Sequence, residues 1–291
     1  MKTEAKEKSI GIFRPSKRKE DSTMEYGRYF EAKVDLPFAT DKRSIRVWLP
    51  PEYDEFPQAR FPVLYMSDGQ NLVDRAYSAY GDWHLDRVLH GLSKEEGLLP
   101  PILVGIDCPK NPVTRCNELN PPYKVLWYIA RHGGPNHPIA NRFIDYIADD
   151  LKPYIDSLLR TNPSLEYTGI GGSSMGGIMA FYAYLYRKDI FGFSLAFSSP
   201  FYFYKEKSWM NILDELGLDP FAKRKLAMYV GGEGFEKRFV KGAIKMKDYL
   251  YSKGYNENNF EFYHNPELPH HEEAWAEYSK PALRFWLKDL N

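Results

Sequence analysis

Residues Tyr167 to Tyr186 read YTGIGGSSMGGIMAFYAYLY, and this stretch decides the architecture. Glu166 to Ile170 can extend as a strand, and Ile178, Met179, Phe181, Tyr182 and Leu185 then recur at helical spacing, which predicts an amphipathic helix. Between them stands Gly172-Ser173-Ser174-Met175-Gly176, a G-x-S-x-G pentad on a strand-to-helix turn. A turn that sharp strains its central residue and crowds the residues two positions away against the strand and the helix. Only Ser174 has glycine at both of those positions, so Ser174 rather than Ser173 is the candidate nucleophile.

The rest of the composition is that of an ordinary globular chain. Of 291 residues, 43% are hydrophobic and 27% charged, enough to bury a sizeable core. Lys+Arg and Asp+Glu balance at 39 each, so no net charge points to nucleic acid or an anionic membrane. Cys108 and Cys116 are too few for a disulfide scaffold and read as free thiols. The opening MKTEAKEKSIGIF lacks the apolar core of a signal peptide, and no run approaches a membrane span. The expectation is a soluble, cytoplasmic protein whose partner is a small molecule.

Residues 1–25 are rich in Lys, Glu and Ser without sustained periodicity and read as a flexible arm, leaving 26–291 as one domain. Ser44 to Leu49 alternates polar and apolar residues, as an antiparallel strand near an edge would. Phe61 to Met66 and Pro101 to Ile106 are apolar runs suited to buried parallel strands. Leu85, Val88, Leu89 and Leu92 mark a helix between them, and Asp107 to about Pro138 reads as a long irregular loop. Ile144, Ile147, Leu151, Ile155 and Leu158 then line one face of a helix. Ser194 to Phe197, Leu226 to Val230 and Phe260 to Tyr263 continue as strands, with helices over Val240 to Tyr251 and Glu272 to Leu290. Alternating strands and helices predict an α/β domain with a mostly parallel central sheet covered on both faces.

Ligands of such sheets bind where the carboxyl ends of the strands converge, so chemistry belongs just after the strands. After the first parallel strand comes Ser67-Asp68-Gly69-Gln70-Asn71, whose turn can present the Gln70 N–H to an oxyanion. The second donor is the N–H of Met175, directly after the serine. After Leu226 to Val230 comes Gly231-Gly232-Glu233-Gly234-Phe235-Glu236, where Glu233 is the expected acid and Glu236 its competitor. Among seven histidines, His84, His90, His132 and His137 precede the serine, while His264, His270 and His271 follow the last strand. The order serine, acid, histidine selects the later group, with His270 ahead of His271. That group lacks the H-E-x-x-H spacing of a zinc helix, so neither a metal nor another cofactor is expected.

With these residues in place, the chain resembles the esterase branch of the α/β-hydrolases that includes esterase D-like enzymes, enterochelin esterases and feruloyl esterases. The likeness runs from Arg46 to Leu287 and rests on RVWLPPEY, PVLYMSDGQNL, RCNE, FIDYIADDLKPYID, GGSSMGG and HHEEAW, in that order. The family's histidine is similar to H-x-E-x-x-W, which favours His270 with Glu272 and Trp275. The resemblance implies a serine carboxylic-ester hydrolase that forms an acyl-enzyme on a small ester, with aromatic or sugar-linked esters among the expected substrates. Alternatives are an acyltransferase on the same fold or a siderophore esterase. Glu233 or Glu236 completes the triad, or a Ser-His dyad works alone. Arg115 and Glu118 are expected to shape the pocket as an ion pair, with Trp83, Trp127, Phe201 and Tyr202 lining it.

Overall fold

The computed structural model describes residues 13–17 and 19–290. A single sheet of nine strands runs through it in the order β1-β2-β3-β5-β4-β6-β7-β8-β9. The strands are β1 (Arg14–Pro15), β2 (Arg28–Asp35), β3 (Lys42–Leu49), β4 (Val63–Ser67), β5 (Ile102–Ile106), β6 (Thr168–Ser173), β7 (Phe193–Phe197), β8 (Lys225–Val230) and β9 (Phe260–His264). From β5 through β9 every pairing is parallel, whereas β1, β2 and β3 pair antiparallel.

Strand periodicity explains the layers, because successive side chains leave opposite faces of the sheet. Val63 and Tyr65 pack with Ile144, Ile147, Leu151 and Ile155 on one face. Leu64 and Met66 join Leu85, Leu89, Leu92, Leu283 and Trp286 on the other. On β8 the same alternation sends Leu226 and Met228 toward Trp209, Met246 and Leu250, and Ala227 and Tyr229 toward Trp275 and Trp286. The result is an α/β-hydrolase fold in one domain, with helices on both faces. No helix among the described residues is long and apolar enough to cross a membrane.

Ser44 to Leu49 lies in β3, third from one edge and antiparallel to both neighbours, as expected of a strand near an edge. Three local expectations are corrected. The described part of the expected arm is docked: β1 pairs with β2, Ser22 Oγ donates to Asp74 at 2.8 Å, and Thr23 Oγ1 donates to Asp82 at 2.6 Å. Residues 1–12 and 18 of that arm lie outside the described residues. The stretch after β5 contains two helices, Pro112–Leu119 and Trp127–Arg131, the first capped by the Asn111 side chain on the N–H groups of Val113 and Thr114. Finally, the helix Met175–Tyr186 is not amphipathic, since every residue from Gly176 to Leu185 is buried. It is enclosed between the sheet and the helices Ala140–Asp145 and Glu206–Leu216, so no face of it needs polar residues.

Candidate active site

Ser174 connects β6 to the helix Met175–Tyr186 with φ 56° and ψ −121°. A non-glycine residue at positive φ costs about 1–3 kcal/mol and persists only where its surroundings hold it. Here the Ser174 N–H donates to the Phe197 carbonyl of β7 at 2.9 Å, while its own carbonyl accepts from Ile178 at 3.2 Å. The flanking glycines explain themselves. A Cβ on Gly172 would stand 2.7 Å from the Gly176 carbonyl carbon, and one on Gly176 would stand 2.1 Å from Ser67 Oγ. Ser173, by contrast, is a buried strand residue in register with Phe197.

The N–H of Met175 follows this serine directly, and Gln70 lines the same cavity as the serine. Met175 opens the helix, and the first helical bond closes from Ile178, so its N–H has no partner within the helix. Gln70 lies in the 3₁₀ turn Gly69–Asn71 after β4, which closes with Asn71 N–H on Asp68 O at 2.9 Å. Gln70 precedes that donor, and its N–H is likewise outside the turn's own bond. The Gln70 side chain is also engaged: Oε1 accepts from the Cys108 N–H at 3.1 Å and Nε2 donates to Cys108 Sγ at 3.2 Å. Asp68 sits at φ 54° at the base of the turn, clamped by Arg115 Nε and Nη2 at 2.7 Å each. Burial alone would lower the pKa of the Arg115 guanidinium, but Asp68 beside it more than reverses this.

The acid beside His270 is Glu236. Its fully buried carboxylate receives His270 Nδ1 on Oε2 and the Gly231 N–H, at 3.1 Å, on Oε1. Glu233 is exposed and starts the 3₁₀ turn Gly234–Glu236 without capping it, so the expectation for Glu233 is corrected to Glu236. The turn carries the chain back over Gly231, and the N–H groups of Gly232 and Glu233 both donate to Leu268 O, at 3.0 and 3.1 Å. The acid loop is thereby tied to the segment that leads into His270. The imidazole stacks on Phe239 at 4.7 Å between centroids and meets the edge of Trp275 at 5.0 Å. With Nδ1 held by Glu236, Nε2 is the nitrogen left for proton transfer. His271 also lines the cavity, but its Nδ1 caps the helix Glu272–Leu287, accepting from the Glu273 N–H at 3.3 Å.

Ser174, His270, Gln70 and Arg115 line one cavity of about 500 Å³, together with Asn71 and Glu272. The expected pair of Arg115 with Glu118 does not form. Glu118 is buried against Arg43 of β3 at 2.8 and 2.7 Å, while Arg115 serves Asp68. Trp83 is buried behind the site, 5.6 Å from both Phe197 and Trp275, and does not line this cavity. Phe201 and Tyr202 border a separate cavity of about 260 Å³, and Trp127 is 68% exposed on its own short helix. Asn71 as a lining residue was missed. Its only signal was its place in the D-G-Q-N turn, just as that of Glu272 was its place after His270.

An arrangement of this kind can deliver a serine oxygen to a carbonyl, remove its proton and hold the resulting oxyanion. Comparison with known proteins agrees with the fold. An uncharacterised protein, YbbA, of Bacillus subtilis (strain 168) is 22% identical over 264 residues, covering 86% of this chain and 94% of that one. The crystal structure of an IroE-like serine hydrolase from Shewanella oneidensis superposes with a TM-score of 0.70 at 22% identity, covering 90% of this chain and 81% of that one. A feruloyl esterase module from Clostridium thermocellum gives 0.62 at 20% identity, covering 97% and 96%. The family model described as "Putative esterase" matches residues 39–282, and the chain belongs to this family of esterases within the α/β-hydrolase superfamily.

Proposed function

We propose that this protein is a serine carboxylic-ester hydrolase that works through an acyl-enzyme. The observation that carries the reading is a single cavity lined by the strained Ser174 and by His270, whose Nδ1 is held by the buried Glu236. Ser174 Oγ attacks the ester carbonyl as His270 Nε2 takes its proton. The N–H groups of Gln70 and Met175 hold the oxyanion, each contributing about 10²–10³-fold in rate. His270 then protonates the departing alcohol, and a water, deprotonated by the same nitrogen, releases the acid. Glu236 keeps the imidazole oriented and stabilises its protonated form. A cavity of about 500 Å³ suits a small ester, aromatic or sugar-linked ones included.

The test compares purified wild type with Ser174→Ala on p-nitrophenyl acetate and with a fluorophosphonate probe. Wild type should hydrolyse the ester and take one equivalent of probe. Ser174→Ala should take none and lose about 10⁴-fold or more in kcat, the scale on which losing such a nucleophile acts. Equal turnover by the two proteins would overturn the reading.

A further inference from the structure

The two halves of the site come from opposite ends of the chain, and one side-chain contact joins them directly. Asn71 ends the oxyanion turn. Its N–H closes the turn on Asp68 O at 2.9 Å, its carbonyl accepts from the Trp83 N–H at 2.8 Å, and its side-chain Nδ2 donates to Glu272 Oε1 at 3.2 Å. Glu272 opens the final helix, two residues after His270. It is 5% exposed and lines the cavity beside Asn71. From the other side Gly81 packs close, since a Cβ there would lie 3.4 Å from Glu272 Cβ.

A negative charge at a helix N-terminus needs no burial, and the exposed Glu273 already supplies one. Burying Glu272 carries a cost: desolvation pushes its carboxyl above the usual range and Asp68 adds to this, while its own backbone N–H, His271 and His270 oppose it. The bond to its own N–H holds the carboxylate at the helix start, and the bond from Asn71 is what ties it across to the turn. We propose that Glu272 is a positioning residue: acting through the Asn71 amide, it sets the oxyanion turn Gly69–Asn71 against the loop that carries His270. This rests on the hydrolase reading above. The turn's other hydrogen bonds run to Asp68, Trp83, Cys108 and Tyr29, so without Glu272 the turn loses its direct bond to the segment that carries His270. A displacement of about 1 Å in such a group costs up to about 10²-fold in rate.

The test is a double-mutant cycle on p-nitrophenyl acetate, with thermal unfolding and fluorophosphonate labelling on every protein. Glu272→Ala and Asn71→Ala should each lower kcat about tenfold or more, with KM changed by less than about twofold. The double variant should be no worse than the poorer single one, because both remove one interaction. Glu272→Gln should stay within about threefold of wild type, since its amide oxygen accepts the same bond. Should Glu272→Ala not fold, a swap decides. Asn71→Asp sets two carboxylates together and should lower kcat, and Glu272→Gln added to it should restore activity with donor and acceptor exchanged. Losses that multiply in the double variant, an unchanged kcat in Glu272→Ala, or a swap that restores nothing would overturn the inference. A wild type that neither hydrolyses nor labels would instead overturn the hydrolase reading, a result distinct from an active wild type with unmoved variants.

Discussion

The two ends of the central sheet differ in a way that cavity size conceals. At the amino ends of β6 to β9, Glu166, Gly192, Arg224, Lys225 and Asn259 border a cavity of about 560 Å³, larger than the one that holds Ser174 and His270. Two of its polar side chains are spent on structure. Arg224 Nε donates to Phe191 O at 3.0 Å, and Asn259 Nδ2 donates to Pro220 O at 2.5 Å. At the carboxyl ends, Asp68, Ser174 and Ser198 directly follow β4, β6 and β7, and each is held at positive φ. Among the described residues the only other non-glycine case is His84. Strain of about 1–3 kcal/mol per residue is tolerated where it aims a group, and here it gathers at one end. Volume marks where there is room, and strained polar residues mark where there is chemistry.

The largest effect that can break this contrast lies on the acid. Glu236→Gln should lower kcat about 10³–10⁴-fold, the cost of removing the group that orients a triad histidine. Glu233→Gln, three residues earlier and exposed, should leave kcat and KM unchanged. Parallel kinetics on a chromogenic ester decide this, and a larger loss in Glu233→Gln would return the acid to that position.

That prediction also shows where the sequence stops being legible. The meeting of Ser174 and His270 in one cavity was readable because local pattern and chain order define them: glycines two residues either side, and a histidine after the last strand. The carboxylate that pairs with His270 was not, because a 3₁₀ turn between Glu233 and Glu236 decides which one comes back over Gly231. Arg115 and Glu118 stand three apart on a helix, the spacing of a local ion pair. Their partners are Asp68 and Arg43, 47 and 75 residues away, where better desolvated, bidentate geometry wins. The mostly parallel core followed from apolar runs alternating with helices, but neither the strand order nor β1 and β2 did. Their charged and polar residues hide how completely β2 covers β3.

An intermediate effect separates backbone from side chain in the turn Gly69–Asn71, the proposed oxyanion donor. Gln70→Pro removes the N–H itself and should cost about 10²–10³-fold in kcat. Gln70→Ala keeps the N–H but cuts both bonds to Cys108, loosening the turn from the end of β5. A loss of about threefold to tenfold in kcat is expected, below the limit for a displaced group. Equal losses in the two variants would mean that the side chain, not the N–H, is what the turn contributes.

The smallest effect belongs to the larger cavity. Lys223 is exposed on its rim, next in sequence to Arg224, whose guanidinium lies 3.8 Å from the centre of the Tyr184 ring. Were this cavity a second ester site, a rim cation would steer or hold an anionic substrate, and Lys223→Ala would raise KM. As a structural feature it should do neither, and an exposed substitution should shift stability by no more than about 0.5 kcal/mol. Measuring kcat and KM of Lys223→Ala on neutral and carboxylate-bearing esters decides between them. A KM that rises only for the charged esters would give the amino end of the sheet a part in binding. Unchanged constants would leave it what the backbone bonds of Arg224 and Asn259 imply, a gap at the strand ends whose polar side chains hold the surrounding loops.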